Sequence, residues 1–297
     1  MKILLLGANG QIGHELRRSL APLGKTVVTT RTGTLDGNAC EQADFDLPDS
    51  LSVLIERIAP DVVVNAAAYT AVDRAENEPD TAFRANAESP ARLAEACAGS
   101  GALLVHYSTD YVFDGESNRP YREEDVAGPL GVYGRSKLAG EQAIRGSGCR
   151  HLIFRTAWVY GNYGVNFMRT MLRLGLERDE LRVVADQLGT PTPARLVADI
   201  TAAVLQNNPG YSGVWHLTAA GETSWYGFAK EIFRQASASG LINRVPRITP
   251  IVISEYPAPA RRPRYSCLDT TRLREGFGID LPDWKKALQQ VLDTSPH

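Results

Sequence analysis

The chain has 297 residues, 43% hydrophobic and 22% charged, which is the composition of a globular protein rather than of a disordered or fibrous one. Its formal net charge of −2 gives no reason to expect nucleic acid or an anionic membrane as a partner. The apolar runs have the length of strands, and the first residues lack the pattern of a signal peptide, so we expect neither a membrane span nor a leader.

The chain opens with the pattern of a strand, a glycine loop and a helix. Residues 3–6 are a short apolar run, typical of a strand buried on both faces. Residues 7–13 follow directly with the spacing G-x-x-G-x-x-G, and helical periodicity begins at Ile12. Glycines in this place let main-chain amides approach a pyrophosphate at the helix N-terminus, so we predict a dinucleotide site. A tight strand-to-helix turn without a ligand is the alternative.

The second predicted strand, residues 25–30, bears on the choice of cofactor. An acid that binds the ribose hydroxyl is expected at its end, about 20 residues beyond the glycines. Thr30 and Arg31 stand there instead. A cation suits a 2′-phosphate, so this end favours NADPH, with NADH used less well. A solvated arginine is the alternative reading.

The remaining elements of the first half alternate between strand and helix. We predict a third short strand ending at residues 44–46, which would flank the adenine, a crossover helix over 50–58, a strand over 61–69, a helix over 86–98 and a strand over 103–110. His106, within the last strand, is interpreted as structural. This alternation predicts a parallel, doubly wound sheet, whose ligands bind at the carboxyl ends of the strands.

Tyr133 and Lys137 are four residues apart and would share one face of a helix. An ammonium beside a phenol favours the phenolate, so Lys137 is expected to lower the pKa of Tyr133 and make it a tunable acid or base. The spacing alone is weak evidence, because Tyr226 and Lys230 have it too. The first pair follows a strand that ends in hydroxyl residues, whereas Tyr226 lies in a packed helical pattern and is assigned to structure.

The second half predicts helices over 166–176, 195–206 and 281–292 and a strand over 213–217. His216, in that strand, is interpreted as packed. The proline-rich run 256–264 is unsuited to a helix or a central strand and predicts a loop that carries arginines. The guanidinium groups of Arg261 and Arg262 suit a diphosphate, and a solvated basic loop is the alternative.

Several further motifs resemble one family in combination. They are NAAAYTAVD at 65–73, HYSTDYVF at 106–113, PLGVYG at 129–134, FRTAWVY at 154–160, DQLGTPT at 186–192 and PARRP at 259–263. With the glycine loop and the Tyr133 pair, these motifs resemble the dTDP-4-dehydrorhamnose reductase family of the extended short-chain dehydrogenase/reductases. The resemblance runs from residue 1 to about residue 284.

The resemblance implies an α/β fold with a Rossmann-like doubly wound parallel sheet and a smaller C-terminal α/β substrate domain. We expect residues 1–160 to bind NADP and residues 161–297 to bind mainly the nucleotide sugar, and leave open that segments around 195–220 return to the first domain. The implied reaction is NADPH-dependent reduction of the 4-keto group of dTDP-6-deoxy-L-lyxo-4-hexulose. Its product, dTDP-L-rhamnose, is a precursor of bacterial cell-surface polysaccharide.

Site residues are implied by the same resemblance. Tyr133 would protonate the carbonyl oxygen. Lys137 would lower the pKa of Tyr133 and bind the nicotinamide ribose. Thr109 would hydrogen-bond the reacting oxygen. The expected cofactor-binding residues are Gly7, Gly10, Gln11, Ile12, Gly13, Thr30, Arg31, Asp44, Phe45, Ala68, Tyr69, Thr70, Tyr107, Tyr133 and Lys137. The expected substrate-binding residues are Thr109, Asp110, Trp158, Asn166, Arg261 and Arg262.

Two other functions stay open at this point. A related nucleotide-sugar reductase, epimerase or 4,6-dehydratase is one, although dehydratases carry a second acid where Tyr111 follows Asp110 here. A non-catalytic, NADP-binding regulatory subunit is the other, and the intact Thr109, Tyr133 and Lys137 favour chemistry over it.

The resemblance also bears on metals, partners and location. Some relatives are magnesium-bridged dimers held through glutamates; Glu15 matches one such position, but Arg195 stands at another, which puts Mg²⁺ in doubt. We expect a dTDP-sugar as partner, no nucleic acid and no membrane, and either a monomer or a homodimer. Four widely spaced cysteines without metal-ligand spacing fit the reduced thiols of a cytoplasmic protein.

Overall fold

Strands and helices alternate through the computed structural model, which describes residues 1–207 and 210–295. The strands are β1 (Lys2–Leu6), β2 (Lys25–Thr30), β3 (Thr34–Leu35), β4 (Asn38–Ala39), β5 (Glu41–Gln42), β6 (Val62–Asn65), β7 (Leu103–Thr109), β8 (His151–Thr156), β9 (Val159–Tyr160), β10 (Glu180–Val184), β11 (Leu188–Gly189), β12 (Thr192–Pro193), β13 (Gly213–His216), β14 (Thr223–Ser224) and β15 (Arg247–Ile251). The α-helices are α1 (Gln11–Leu20), α2 (Pro48–Ile58), α3 (Val72–Ala75), α4 (Pro79–Phe83), α5 (Ser89–Ser100), α6 (Val132–Gly146), α7 (Phe167–Glu177), α8 (Ala194–Asn207), α9 (Trp225–Ala238), α10 (Thr271–Phe277) and α11 (Trp284–Leu292).

The central sheet has seven strands in the order β13-β8-β7-β6-β1-β2-β5. Every neighbouring pair in it is parallel. The chain builds outward from β1 to β5 and then returns to the other side of β1 with β6. This reversal opens a crevice at the carboxyl ends of β1 and β6, where doubly wound sheets bind their ligands. The doubly wound fold predicted from sequence is therefore confirmed.

Both faces of the sheet are covered by helices, and β1 shows how the sequence allows it. Ile3 and Leu5 pack into the cluster on the side of α1 and α8, while Leu4 and Leu6 pack into the cluster on the side of α2 and α5. Successive side chains of a strand point to opposite faces, so an unbroken apolar run suits a strand with a core on either side.

A third apolar cluster is formed by the later segments of the chain. Helices α7, α9 and α11 and the parallel pair β10–β15 surround it, with Phe228, Ile232 and Phe233 at its centre. Two later elements instead pack with the central sheet and its helices. Helix α8 packs on α1, and β13 pairs with β8 at the edge of the sheet.

Several predicted boundaries are corrected by local structure. The strand expected to end at residues 44–46 ends at Gln42, and Asp44 accepts a hydrogen bond at 3.0 Å from the main-chain N–H of Asp46 in a turn. The helix expected over 86–98 begins as a π-helical turn, Arg84–Glu88, and continues as α5. The closing helix begins at Trp284 rather than 281, because Asp283 caps it by accepting from the N–H of Lys285 at 2.9 Å.

In the part of the chain that the structure describes, every helix is too short or too polar to cross a bilayer.

A buried ion pair fixes α6 to the sheet. Arg155 of β8 and Glu141 of α6 have side chains that are 4% and 0% exposed. Arg155 donates from Nη2 to Glu141 Oε2 at 2.7 Å and from Nε to Oε1 at 2.9 Å. Removing one partner of a buried pair leaves an uncompensated charge, which is far more costly than losing an exposed pair.

The substitution Glu141→Gln tests this anchor. It keeps the side-chain volume and leaves the Arg155 charge unpaired, so the free energy of unfolding in urea should fall by about 3 kcal/mol. Glu177→Gln, which breaks the exposed pair with Arg173 on α7, is the matched control and should change it by less than about 1 kcal/mol. Equal effects of the two substitutions would contradict the assignment of Glu141 as the anchor.

Candidate active site

Two cavities lie at the carboxyl edge of the central sheet, on either side of the glycine loop. The first, of about 600 Å³, is lined by the start of α1, the residues after β6 and β7, and the first turns of α6. The second, of about 240 Å³, lies between the glycine loop and the end of β2. A dinucleotide has two ends joined by a diphosphate, and this pair of cavities around a helix N-terminus matches that shape.

The glycine loop brings main-chain atoms close together. Gly7 has φ +76°, and a Cβ on Gly13 would lie 2.0 Å from the Gly7 carbonyl oxygen, so only glycine fits there. Gly10 caps α1, and Gly10, Gln11 and Ile12 line the first cavity. The residues present therefore fit a dinucleotide diphosphate, held by the main-chain N–H groups at the start of α1.

The smaller cavity contains most of the residues expected around the adenosine. Arg31, Asp44, Phe45, Ala68 and Tyr69 line it. The Arg31 side chain is 70% exposed and contacts the carboxylates of Asp46 and, at 3.6 Å, Asp44. Arg31 thus lies at the cavity with its charge already shared by two acids.

Two of the expected cofactor residues have side chains turned into the protein. Thr30 is buried and donates from Oγ1 to the Thr34 carbonyl at 3.1 Å. The Tyr107 hydroxyl lies 2.8 Å from Thr201 Oγ1 of α8, in the core. Tyr107 nevertheless lines the first cavity, as does Thr70.

Tyr133 stands in the first turn of α6. Gly131 caps this helix, and the Val132 N–H donates to Glu76 Oε1 at 2.7 Å. Burial raises the pKa of Tyr133 to about 12, the Thr109 hydroxyl partly offsets this, and the Asp110 charge adds to the rise. The net shift in the pKa of Tyr133 is therefore upward, opposite to the fall expected from Lys137, because desolvation of the phenolate dominates.

Lys137 is buried below Tyr133, with 2% of the residue exposed. Its Nζ donates to the Tyr107 carbonyl at 2.6 Å and lies 3.1 Å from Nε2 of His106. Burial lowers the pKa of Lys137 to about 8, and the Glu141 charge partly offsets this. His106, interpreted as structural from the sequence, is thus in contact with a candidate catalytic residue. The signal in the sequence that could have indicated this contact was a histidine within an otherwise apolar strand.

Thr109 and Asp110 meet at the end of β7. Thr109 Oγ1 donates to Asp110 Oδ1 at 3.0 Å, and both residues line the first cavity. Burial raises the pKa of Asp110 to about 6, while hydrogen bonds from Ser266 and Thr109 oppose the rise. The end of this strand therefore presents a hydroxyl and a carboxyl to the cavity.

Trp158 closes the far side of the first cavity in an unusual conformation. Its φ is +47°, a left-handed value that is strained for a bulky residue. Its ring stacks on Trp225 of α9, with centroids 3.5 Å apart and planes 7° apart. Sequence reasoning missed Trp225, which also lines a third cavity of about 730 Å³.

The remaining predicted substrate residues differ in their placement. Arg262 lines the third cavity and donates from Nη2 to Asp73 Oδ2 at 2.7 Å, while its buried Nη1 has no partner within residues 1–207 and 210–295. Arg261 is exposed. Asn166 caps α7 and donates to Gln11 Oε1 at 3.0 Å, so its side chain joins α7 to the glycine loop.

The second tyrosine–lysine pair lies away from these cavities. Tyr226 packs against the C-terminal cluster, and the Lys230 Nζ lies 5.4 Å from the centre of its ring. The same spacing on two helices thus produces one pair at the edge of the sheet and one in ordinary packing.

The surface around Glu15 does not fit a magnesium site. Glu15 lies 3.7 Å from Arg18, which binds Asp199 at 2.5 Å, and Asp199 is also 3.8 Å from Arg195. Two arginines would repel a divalent cation. Among the described residues, no three His, Cys, Asp or Glu side chains are grouped as metal ligands.

Comparison with known proteins identifies the family to which the chain is similar. The family model described as RmlD substrate binding domain matches residues 1–296. The chain is 50% identical to a dTDP-4-dehydrorhamnose reductase of Burkholderia thailandensis, covering 97% of each chain, and 44% identical to that of Escherichia coli K12, covering 99% of this chain and 97% of the relative. A Bacillus anthracis dTDP-4-dehydrorhamnose reductase, solved in complex with NADP, superposes with a TM-score of 0.90, at 34% identity and 99% coverage of both chains.

The close approach at Gly13 gives a test of the dinucleotide site. Gly13→Ala places a methyl group against the Gly7 carbonyl and should weaken NADPH binding, measured by cofactor fluorescence, by about tenfold or more. Gly99→Ala, in α5, is the matched control, because its Cβ would meet nothing within 4 Å. NADPH affinity that is the same in both variants and the wild type would place the diphosphate elsewhere.

Proposed function

Since the chain belongs to the dTDP-4-dehydrorhamnose reductase family, we propose that it reduces the 4-keto group of dTDP-6-deoxy-L-lyxo-4-hexulose with NADPH. The product is dTDP-L-rhamnose, and the reaction is the last step of dTDP-rhamnose synthesis. One observation carries the proposal: Thr109, Tyr133 and Lys137 line one cavity together with the N-terminal turn of α1. A proton donor and a dinucleotide cradle on one cavity are what carbonyl reduction needs.

The glycine loop and the small residues after β6 would hold the cofactor. Bound NADPH supplies the hydride. Gly10 and Gln11 line the first cavity. The Gly10 N–H donates to the Gly7 carbonyl at 3.0 Å, so the main-chain N–H groups of α1 from Gln11 onward would bind the diphosphate. Ala68 lines both cavities and leaves room for the dinucleotide to pass between them. Arg31 would contact the 2′-phosphate with the donors that Asp44 and Asp46 leave free.

Tyr133 would supply the proton to the carbonyl oxygen. With its pKa raised to about 12 by burial, the phenol is fully protonated at neutral pH and ready to donate. The Lys137 ammonium, buried nearby, would stabilise the phenolate that remains. Thr109, at the end of β7, would hold the reacting oxygen by turning its one hydroxyl hydrogen from Asp110 to that oxygen.

The nucleotide sugar would extend from the first cavity into the third. Trp225 lines both cavities, and its stacked partner Trp158 would contact the sugar ring. Asp110 would bind a sugar hydroxyl. Arg262 would bind the diphosphate, since a buried guanidinium N–H without a partner in the described chain is a ready donor.

We place the reaction in the cytoplasm. The four cysteines are free thiols, which fits a reducing compartment.

The direct test is NADPH consumption with dTDP-6-deoxy-L-lyxo-4-hexulose, followed by identification of the product by NMR. We expect dTDP-L-rhamnose. The talo epimer would identify a reductase of opposite facial selectivity, and tightly bound NAD with epimerised sugar would identify an epimerase. No turnover, with a second protein co-purifying, would identify a regulatory subunit.

The two tyrosine–lysine pairs provide a matched test of the proton donor. Tyr133→Phe removes only the hydroxyl, so turnover should fall by about 10²–10⁴-fold while NADPH still binds. Tyr226→Phe makes the same change on α9 and should leave turnover within twofold of the wild type. This is a small effect, because a tenfold change in rate corresponds to about 1.4 kcal/mol of activation free energy. The reverse pattern would overturn the assignment of Tyr133.

The neighbouring arginines test the substrate diphosphate site. Arg262→Ala should raise the KM for the nucleotide sugar by about tenfold or more, because a charge-assisted hydrogen bond is lost. NADPH affinity should not change. Arg261→Ala, one residue earlier and exposed, is the control and should leave both constants alone. Similar KM values in the two variants would make this loop a solvated basic segment.

A further inference from the structure

His106 is a buried group to which the proposed reaction gives no role. It lies in β7 with none of its surface exposed, between Asn65 of β6 and Lys137 of α6. Its Nδ1 is 3.1 Å from Asn65 Nδ2, and its Nε2 is 3.1 Å from Lys137 Nζ. The fixed end of this series of hydrogen bonds is a group that can only donate, and it determines the direction of the others.

The fixed end is the main-chain N–H of Ala67, which can only donate. It lies 3.1 Å from Asn65 Oδ1, so the amide oxygen faces Ala67 and the amide nitrogen faces His106. An amide NH₂ also only donates, so Nδ1 of His106 has to accept. A neutral imidazole carries one proton, which is therefore on Nε2 and points at Lys137 Nζ.

His106 stays neutral in this position. Burial holds the pKa of His106 well below its usual value, and the nearby charge of Lys137 acts in the same direction. The doubly protonated ring would also place an N–H on Nδ1 against the Asn65 amide, donor against donor. Both arguments leave the Nε2–H tautomer as the form of His106 in the folded protein.

The amine of Lys137 therefore has an acceptor on one side and a donor on the other. It donates to the Tyr107 carbonyl at 2.6 Å. An ammonium has three donors and no acceptor, so it would meet the Nε2–H of His106 donor against donor. An uncharged amine has a lone pair that accepts from this N–H, so the contact with His106 favours the uncharged form.

We propose that Asn65 and His106 are positioning residues: held in one tautomer, His106 donates to Lys137 Nζ, favours its uncharged form and sets the pH at which the ammonium near Tyr133 is lost. The inference rests on the proposed reductase function for its effect on rate, but its geometry is independent of it. Burial lowers the pKa of Lys137 to about 8 against the opposing charge of Glu141, and the contact with the Nε2–H of His106 lowers it further.

The other charged groups around Lys137 do not replace this contact. From α6 itself, Tyr133 shares the cavity and Glu141 raises the pKa of Lys137. The Glu141 charge is bound at 2.7 Å by Arg155 of β8, and Asp110 lines the cavity beyond β7. Of these groups, His106 is the titratable side chain in direct contact with Nζ.

The tautomer can be measured without turnover. In protein labelled with ¹⁵N-histidine, His106 should show a protonated Nε2 and an unprotonated Nδ1. A protonated Nδ1 would overturn the proposal. In protein labelled with ¹³Cε-lysine, Lys137 should titrate at about pH 8 or below, against about 10.4 for a free lysine.

Asn65→Asp reverses the direction of hydrogen-bond donation from residue 65 through His106 to Lys137. A carboxylate accepts both from the Ala67 N–H and from an Nδ1–H of His106, which moves the imidazole proton and leaves a lone pair on Nε2 for the ammonium. The titration of Lys137, and with it the alkaline limb of kcat/KM, should move up by about one pH unit or more. His106→Gln, whose amide oxygen can accept from the ammonium, should move both in the same direction if the first variant fails to fold.

His216→Gln is the matched control, because His216 is a buried histidine of β13 that lines none of the three cavities. It should leave the titration of Lys137 in place. A Lys137 titration unmoved in both Asn65→Asp and His106→Gln would overturn the proposal. Failure of the reductase function would show as absent turnover with the predicted NMR signals intact.

Discussion

The amine of Lys137 has to find its partners inside the protein, because the residue is 2% exposed. Burying an amine, charged or uncharged, without hydrogen bonds would be costly. The end of β7 supplies a carbonyl from Tyr107, and His106 supplies a ring nitrogen. These contacts fix the rotation and depth of α6, and with them the place where the phenol of Tyr133 reaches the cavity.

The rest of α6 is held with little freedom for the same reason. A Cβ on Gly134 would lie 2.2 Å from the Tyr111 carbonyl, so the helix approaches the residues after β7 as closely as main-chain atoms allow. The buried pair of Glu141 and Arg155 holds the middle of the helix to β8. A site that must place a proton donor within hydrogen-bond reach of a carbonyl oxygen benefits from such rigid support.

The far side of the first cavity is built differently, from contacts between the central sheet and the C-terminal apolar cluster. Trp158 follows β8 of the central sheet, and Trp225 begins α9 of the C-terminal cluster. Trp225 lines both the first and the third cavity, and its stacking on Trp158 helps to hold that residue in its strained backbone conformation. This wall of the first cavity therefore depends on how the later helices pack on the sheet.

The sequence by itself determined the doubly wound sheet, the glycine loop and the position of Tyr133 and Lys137. Local sequence patterns predict these features: apolar runs indicate buried strands, glycines indicate places where side chains cannot fit, and hydroxyl residues at a strand end indicate the site. The motifs at 65–73 and 106–113 also carried the family resemblance. Periodicity sufficed here because each strand or helix is specified mainly by its own residues.

Only the tertiary structure decided that His106 contacts Lys137 and that Trp225 stacks on Trp158. It also reversed the expected shift in the pKa of Tyr133, raising it where the sequence predicted a fall. The physical reason is the same in each case. Burial, stacking and the direction of a hydrogen bond depend on groups that are far apart in the chain. Local sequence patterns do not predict which of these distant groups come into contact.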